Sequence, residues 1–206
     1  MQSKDHWEQV YTTKSSSGVS WFQDHAQQSV ELVRRAGVTR DASIIDVGGG
    51  ASTLVDDLLN EGYARVAVLD LSEAALAASQ FRLGQRAAAV SWLVGDITRV
   101  ELPLHAYDVW HDRAVFHFLT SPREREAYRQ AVLRAVKPGG HVIVATFAED
   151  GPEKCSGLPV MRYSAQGLHA QFGASFTLLQ QEGEEHRTPS GTVQKFIYCL
   201  CRKESS

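Results

Sequence analysis

From residue 43 onward, short apolar runs alternate with stretches whose apolar positions recur at helical spacing, and this alternation narrows the possible folds more than any other feature. The runs are "SIIDV", "ARVAVLD", "AVSWLVGD", "YDVWHDR" and "HVIVATF". A strand wetted on one face alternates apolar with polar residues, whereas these are nearly continuous and need cover on both faces. The segments between them carry helix signals. "STLVDDLLNEG" starts at a Ser/Thr cap and stops at Gly62, and "SEAALAASQFRLG" has Ser72 as N-cap and Gly84 as its stop. A third helix begins near Ser121, with Pro122 in its first turn, and runs to "VKPGG"; "SAQGLHAQFG" reads as a short fourth. Buried strands separated by helices mean a parallel sheet covered on both sides.

The end of the chain breaks the rhythm. "FTLLQQEGEE" and "TVQKFIYCLCR" are strand-like and joined only by "HRTPSG", too short a link for a crossover, so this pair must be antiparallel. The expected fold is α/β: a doubly wound, seven-stranded, mostly parallel sheet with an antiparallel C-terminal strand. Residues 1–206 are expected to form a single domain. Residues 1–40, including "DHAQQSVELVRRAG", read as a helical cap across the ligand edge, and residues 41–206 as the cofactor-binding core.

At 206 residues the chain is long enough for one domain with a sizeable core and too short for two comfortable ones. A net charge of −3 supplies no drive toward nucleic acid or an anionic membrane. No run approaches 18 apolar residues, and "MQSKDHWEQV" lacks the apolar centre of a signal peptide, so the expected location is cytoplasmic. Cys155, Cys199 and Cys201 match neither a disulfide framework nor a zinc spacing. Cys199 and Cys201, two apart in a strand, should share a face. His105, His111 and His117 are spaced by six, which does not bring them together, so no metal is expected.

In a sheet of this kind, ligands bind at the carboxyl ends of the strands, where strand order reverses. "SIIDVGGGAS" ends the first strand there. Gly48 and Gly50 permit a tight turn and close approach of a ligand to the backbone. Asp70, at the end of the second strand, can accept hydrogen bonds from both hydroxyls of a ribose. Asp46, two residues before Gly48, is the discriminating residue. A dinucleotide would bring its pyrophosphate against that carboxylate, and the third glycine of a dinucleotide fingerprint is replaced by Thr53. S-adenosylmethionine carries a sulfonium and an α-ammonium and no phosphate. Asp46 would attract it by about 1–4 kcal/mol at ~4 Å, depending on local dielectric. Asp96, in "VGDIT", offers a further acceptor near the adenine amino group.

Five segments together resemble the class I S-adenosylmethionine-dependent methyltransferases. "IIDVGGGAS" is similar to that family's Asp-x-Gly-x-Gly loop, "VAVLDLS" to its ribose-binding strand end and "LVGDIT" to its adenine-contacting turn. "YDVWHDRAVFHFL" and "AVKPGGHVIVATF" are similar to its fourth-strand and fifth-strand segments. The resemblance covers roughly residues 40 to 147, with Ser52 where the family's loop often has a third glycine. It implies a methyltransferase with S-adenosyl-L-methionine as cofactor. The implied cofactor-binding residues are Trp21, Asp46, Gly48, Gly50, Asp70, Leu71, Asp96, Ile97 and His111. Asp112 and His117, in "WHDRAVFHF", are the candidates for a base or an acceptor-orienting group; Asp112 pairing with Arg113 is the competing reading. Trp21 and Phe22, the polar loop "AEDGPEKCSGLPVMRYS" with Glu149, Cys155, Arg162 and Tyr163, and His186 and Arg187 of the terminal hairpin could shape the acceptor pocket. Lacking a substrate domain or a basic stripe, the chain is expected to take a small-molecule acceptor. The alternatives are a protein lysine and a non-catalytic cofactor-binding role.

Overall fold

The apolar runs pair side by side in a computed structural model that describes residues 4–13, 15 and 18–205. They form β1 (Ser43–Val47), β2 (Arg65–Asp70), β3 (Val90–Val94), β4 (Tyr107–Arg113) and β5 (Val136–Phe147). A two-residue hairpin, β6 (Lys154–Cys155) and β7 (Leu158–Pro159), precedes the long closing strands β8 (Phe176–Arg187) and β9 (Val193–Lys203). The main sheet has seven strands in the order β3-β2-β1-β4-β5-β9-β8. Neighbours among β1 to β5 are parallel, while β9 runs antiparallel to both β5 and β8. The reversed C-terminal strand is therefore present as the short "HRTPSG" link requires.

Continuous apolar sequence produces two cores, one on each face of this sheet. Ile44, Val66, Val68 and Ile143 face one core, which takes its helical cover from α1 (Lys4–Thr13), α2 (Gln27–Arg35), α3 (Leu54–Asn60) and α4 (Glu73–Leu83). Ile45, Ala67, Trp110 and Val144 face the other, beneath α5 (Pro122–Ala135) and α6 (Ala165–Ala170). Cys199 and Cys201 both enter this second core. Local signals stop and start the helices where the sequence marks them. Ser72 Oγ accepts from the Ala75 amide at 3.1 Å, Gly84 leaves α4 at φ 57°, and Ser121 and Glu124 form a reciprocal cap on α5. Thr53 makes no side-chain cap on α3; Ser52 Oγ, 3.1 Å from the Leu54 amide, takes that part.

After β3 the chain crosses to the far side of β1 and enters β4, so strand order reverses between β1 and β4. The loops leaving those two strands diverge and open a crevice. Among the described residues, no helix is long and apolar enough to cross a membrane.

Candidate cofactor and acceptor site

A cleft lies at that crevice, with about 900 Å³ of empty space measured out to open solvent. Gly48 forms its floor with φ +71°, and a Cβ there would come within 2.0 Å of Val115 Cγ2, so only glycine fits. Gly50 lines neither this cleft nor its neighbour. Its role is to let the loop pass Asp70, because a Cβ on Gly50 would lie 2.5 Å from Asp70 Oδ2. Asp70 lines the cleft and accepts from the Ser72 amide at 2.8 Å; burial, with nearby Asp46 adding to it, pushes its carboxyl up to about 7. Leu71 and Ile97 supply apolar wall. Asp96 also lines the cleft while building its own turn, accepting at Oδ1 from the Thr98 amide (2.9 Å) and hydroxyl (2.7 Å).

The roof comes from the N-terminal segment. Trp7 and Tyr11 of α1 reach the cleft beside Trp21, whose Nε1 donates to Tyr11 Oη at 3.2 Å. Trp7 meets Trp21 and Phe118 edge-on, with ring centroids 5.7 and 5.3 Å apart. Glu8 holds α1 in place by accepting from the Glu73 (2.6 Å) and Ala74 (3.2 Å) amides at the start of α4.

A second cleft of about 540 Å³ shares Tyr11, Trp21, Gly48 and Arg113 with the first and is lined by Asp46 and His111. The Asp46 carboxylate is not fully open, as its charge toward a ligand would require. His111 Nδ1 lies 2.7 Å from Asp46 Oδ1, and His111 Nε2 lies 2.8 Å from Ser29 Oγ. His111 thus has both ring nitrogens engaged by protein. Asp46 Oδ2 is buried and has no hydrogen-bond partner among the described residues.

Asp112 and His117, placed by the sequence at the reacting centre, line neither cleft. Asp112 is fully buried; it accepts from the Val115 (2.8 Å) and Phe116 (3.1 Å) amides and from Tyr128 Oη (2.5 Å). Burial pushes its carboxyl up to about 6. It fastens the turn after β4 to α5 and so holds Val115 in the cleft wall. His117 sits between the rings of Phe118 and Phe147, its Nδ1 accepting weakly from the Phe147 amide at 3.4 Å, and burial lowers it to about 3. Nor does Asp112 pair with Arg113, since alternation along β4 sends them to opposite faces. Arg113 turns into the clefts, where it donates to Tyr198 Oη (2.8 Å) and Glu184 Oε2 (3.1 Å) above the Phe196 ring.

Of the loop candidates, Cys155 alone lines the cleft, with its thiol pushed up to about 12 by burial. Arg162 is spent on Gly151 O (3.1 Å) and Glu153, and Glu149 is exposed. Tyr163 packs in the core beneath α5 and α6. His186 reaches the Ser20 carbonyl at 2.8 Å, tying the terminal hairpin to the roof, whereas Arg187 stays within its turn near Gly191 O. Trp7, Tyr11 and Arg113 are among the cleft residues that sequence reasoning missed, and Glu184 is the partner that holds Arg113. Only the alternation beyond Asp112 could have pointed to Arg113.

A family model described as a methyltransferase domain matches residues 44–140. The eEF1A lysine and N-terminal methyltransferase of Mus musculus is 23% identical over 153 residues, 71% of this chain and 22% of that protein. The malonyl-[acyl-carrier protein] O-methyltransferase of Paenibacillus sp. (strain JDR-2) is 25% identical over 167 residues, covering 79% of this chain and 59% of that protein. The chain thus spans about a fifth and about three fifths of these relatives' lengths. A solved SAM-dependent methyltransferase from Anabaena variabilis ATCC 29413 shares the fold with a TM-score of 0.74 at 16% identity, over 99% of this chain and 96% of that one. The matched residues, 44–140, hold the glycine loop, the acidic strand ends and the reversal of strand order, and over them the chain carries a methyltransferase domain with the fold of the S-adenosylmethionine-dependent methyltransferases.

Proposed function

We propose that the protein transfers a methyl group from S-adenosylmethionine to a small-molecule acceptor, with residues 41–206 as the cofactor-binding core under a helical cap drawn from residues 1–40. Of that cap, residues 1–3, 14, 16 and 17 lie outside the described residues. The observation that carries the choice of acceptor is enclosure. Trp7, Tyr11 and Trp21 roof the cleft, and Phe118, in contact with Trp7, and Cys155 continue its wall. An aromatic, largely apolar chamber with a few polar groups suits a small ligand.

The residues present fit the cofactor. A buried carboxylate oxygen without a partner, Asp46 Oδ2, suits an ammonium group and would repel a pyrophosphate. Asp70 would accept from the ribose hydroxyls, with Leu71, Asp96 and Ile97 around the adenine. Trp21 and Tyr11 would cover the methionine portion and exclude water. When bound, the cofactor supplies an electrophilic methyl on its sulfonium, and the protein's task is to hold the acceptor in line with it. Asp112 acts in this scheme through the backbone it holds, and the wall facing the acceptor is Arg113, Phe118 and Cys155.

The mouse relative's name supports a protein lysine as the second reading. Incubating the protein with radiolabelled S-adenosylmethionine and a cell extract, then separating by size, tests both. Label in a small molecule other than the cofactor, resolved from it by chromatography of that fraction and formed only with the protein present, is the expected result. Label on one discrete protein band would favour the lysine, and no transfer in spite of firm cofactor binding would favour a non-catalytic role.

A further inference from the structure

Asp46 and His111 are cross-strand neighbours in the parallel pairing of β1 with β4, so their side chains leave the sheet on the same face. His111 bridges two elements there: Asp46 at the end of β1, and Ser29 in α2. All three side chains are almost wholly buried, at 2%, 2% and 1% exposure for Asp46, His111 and Ser29, and all three line the second cleft. The terminal torsion of an aspartate is soft and roughly two-fold, so a carboxylate without a fixed partner turns readily. The His111 hydrogen bond removes that freedom at Oδ1. The loop backbone closes on the other oxygen from one side, since a Cβ on Gly49 would stand 2.3 Å from Asp46 Oδ2. Oδ2, itself buried, is left without a partner among the described residues, in a side chain that lines the second cleft.

The far end of the bridge is equally well anchored. The start of α2 is held by the Ala26 amide donating to Asp57 Oδ2 (2.8 Å) and by Gln28 donating to Glu182 (2.8 Å). Ser29 therefore offers His111 a fixed reference point. Imidazole suits this place because its two nitrogens lie on opposite edges of a rigid ring and can engage two buried oxygens at once.

We infer that His111 is a positioning residue for the cofactor: braced against Ser29, it holds the Asp46 carboxylate so that Oδ2 is presented to the α-ammonium of S-adenosylmethionine. This rests on the cofactor assignment proposed above. It differs from a plain structural role in one measurable respect, since it concerns the ammonium and not the rest of the ligand. The test compares two ligands by calorimetry: S-adenosylhomocysteine, and the same molecule lacking its α-amino group.

The unaltered protein should prefer the amino-bearing ligand by about tenfold or more, the worth of a hydrogen bond to a charged group. His111→Leu should remove most of that preference and leave affinity for the des-amino ligand nearly unchanged. His111→Asn, which keeps a donor at the Nδ1 position, should retain the preference. Where His111→Leu does not fold, Ser29→Ala carries the same comparison, with a preference reduced about threefold by the loss of one neutral hydrogen bond. Equal weakening of both ligands in these variants would make His111 merely structural and overturn the inference, as would an unchanged preference in folded His111→Leu. Binding of neither ligand by the unaltered protein would overturn the cofactor assignment itself, a result distinct from either.

Discussion

Asp70 carries two opposed demands. Its place at the end of β2, against Gly50 and under α1, buries it, and burial lifts its carboxyl from 3.8 to about 7. In the proposed cofactor site, accepting from two ribose hydroxyls would require the carboxylate. Cofactor affinity should therefore rise as pH increases from about 6 to about 8, the window around that value, and the rise should vanish in Asp70→Asn. Stability without ligand moves the other way. Because the folded state holds its proton more tightly than the unfolded chain, stability falls as pH rises from 3.8 through about 7. Asp70→Ala should weaken S-adenosylhomocysteine binding by roughly 1.5–3 kcal/mol. A flat pH profile for the unaltered protein, measured by calorimetry, would take Asp70 out of the site.

At the scale of an element, α1 is joined to the core by few polar contacts and one aromatic cluster. Glu8 occupies the N-terminus of α4, satisfying the Glu73 and Ala74 amides that the helix itself leaves without partners, and Lys4 adds a surface pair with Glu73. Opening α1 would expose the cleft, because Trp7 and Tyr11 form part of its roof. Glu8→Ala should destabilise the closed position by about 1 kcal/mol, typical of a lost helix cap. The readouts are faster release of S-adenosylhomocysteine and weaker hydrogen-exchange protection of α1, with protection of β1 and β4 unchanged. Unaltered release would show that α1 does not gate the site.

Across the whole molecule, the Arg113–Glu184 pair joins parts of the chain that are far apart in sequence. Arg113 leaves β4, Glu184 leaves β8, Tyr198 leaves β9, and Gln23 from the N-terminal segment donates to Glu184 at 2.7 Å. Both charged side chains are largely buried, at 10% and 14% exposure. Removing one partner strands the other, so Glu184→Ala should cost about 3–5 kcal/mol in denaturant unfolding. A loss below about 1 kcal/mol would mean that water reaches Arg113 and that the network does not hold the cap.

The chain's local patterns determined a good deal by themselves. Continuous apolar runs specified β1 to β5, Ser72, Gly84 and the Ser121–Glu124 box placed helix ends, and Gly48, Asp70 and Asp96 marked strand ends that line the cleft. Each of these depends on residues within one turn or one strand of each other, where backbone geometry alone sets the outcome. The β6–β7 hairpin escaped because two-residue strands carry no periodicity. Asp112 was misplaced for a related reason: alternation puts Asp112 and Arg113 on opposite faces, but it does not say which face opens into a cleft. His111–Ser29 spans 82 positions and Arg113–Glu184 spans 71. Such pairs exist only because helices and strands pack with particular surfaces together and leave buried polar groups that must find partners. That choice of surfaces, made by tertiary packing, decided which of the sequence's polar residues line the clefts and which hold the walls in place.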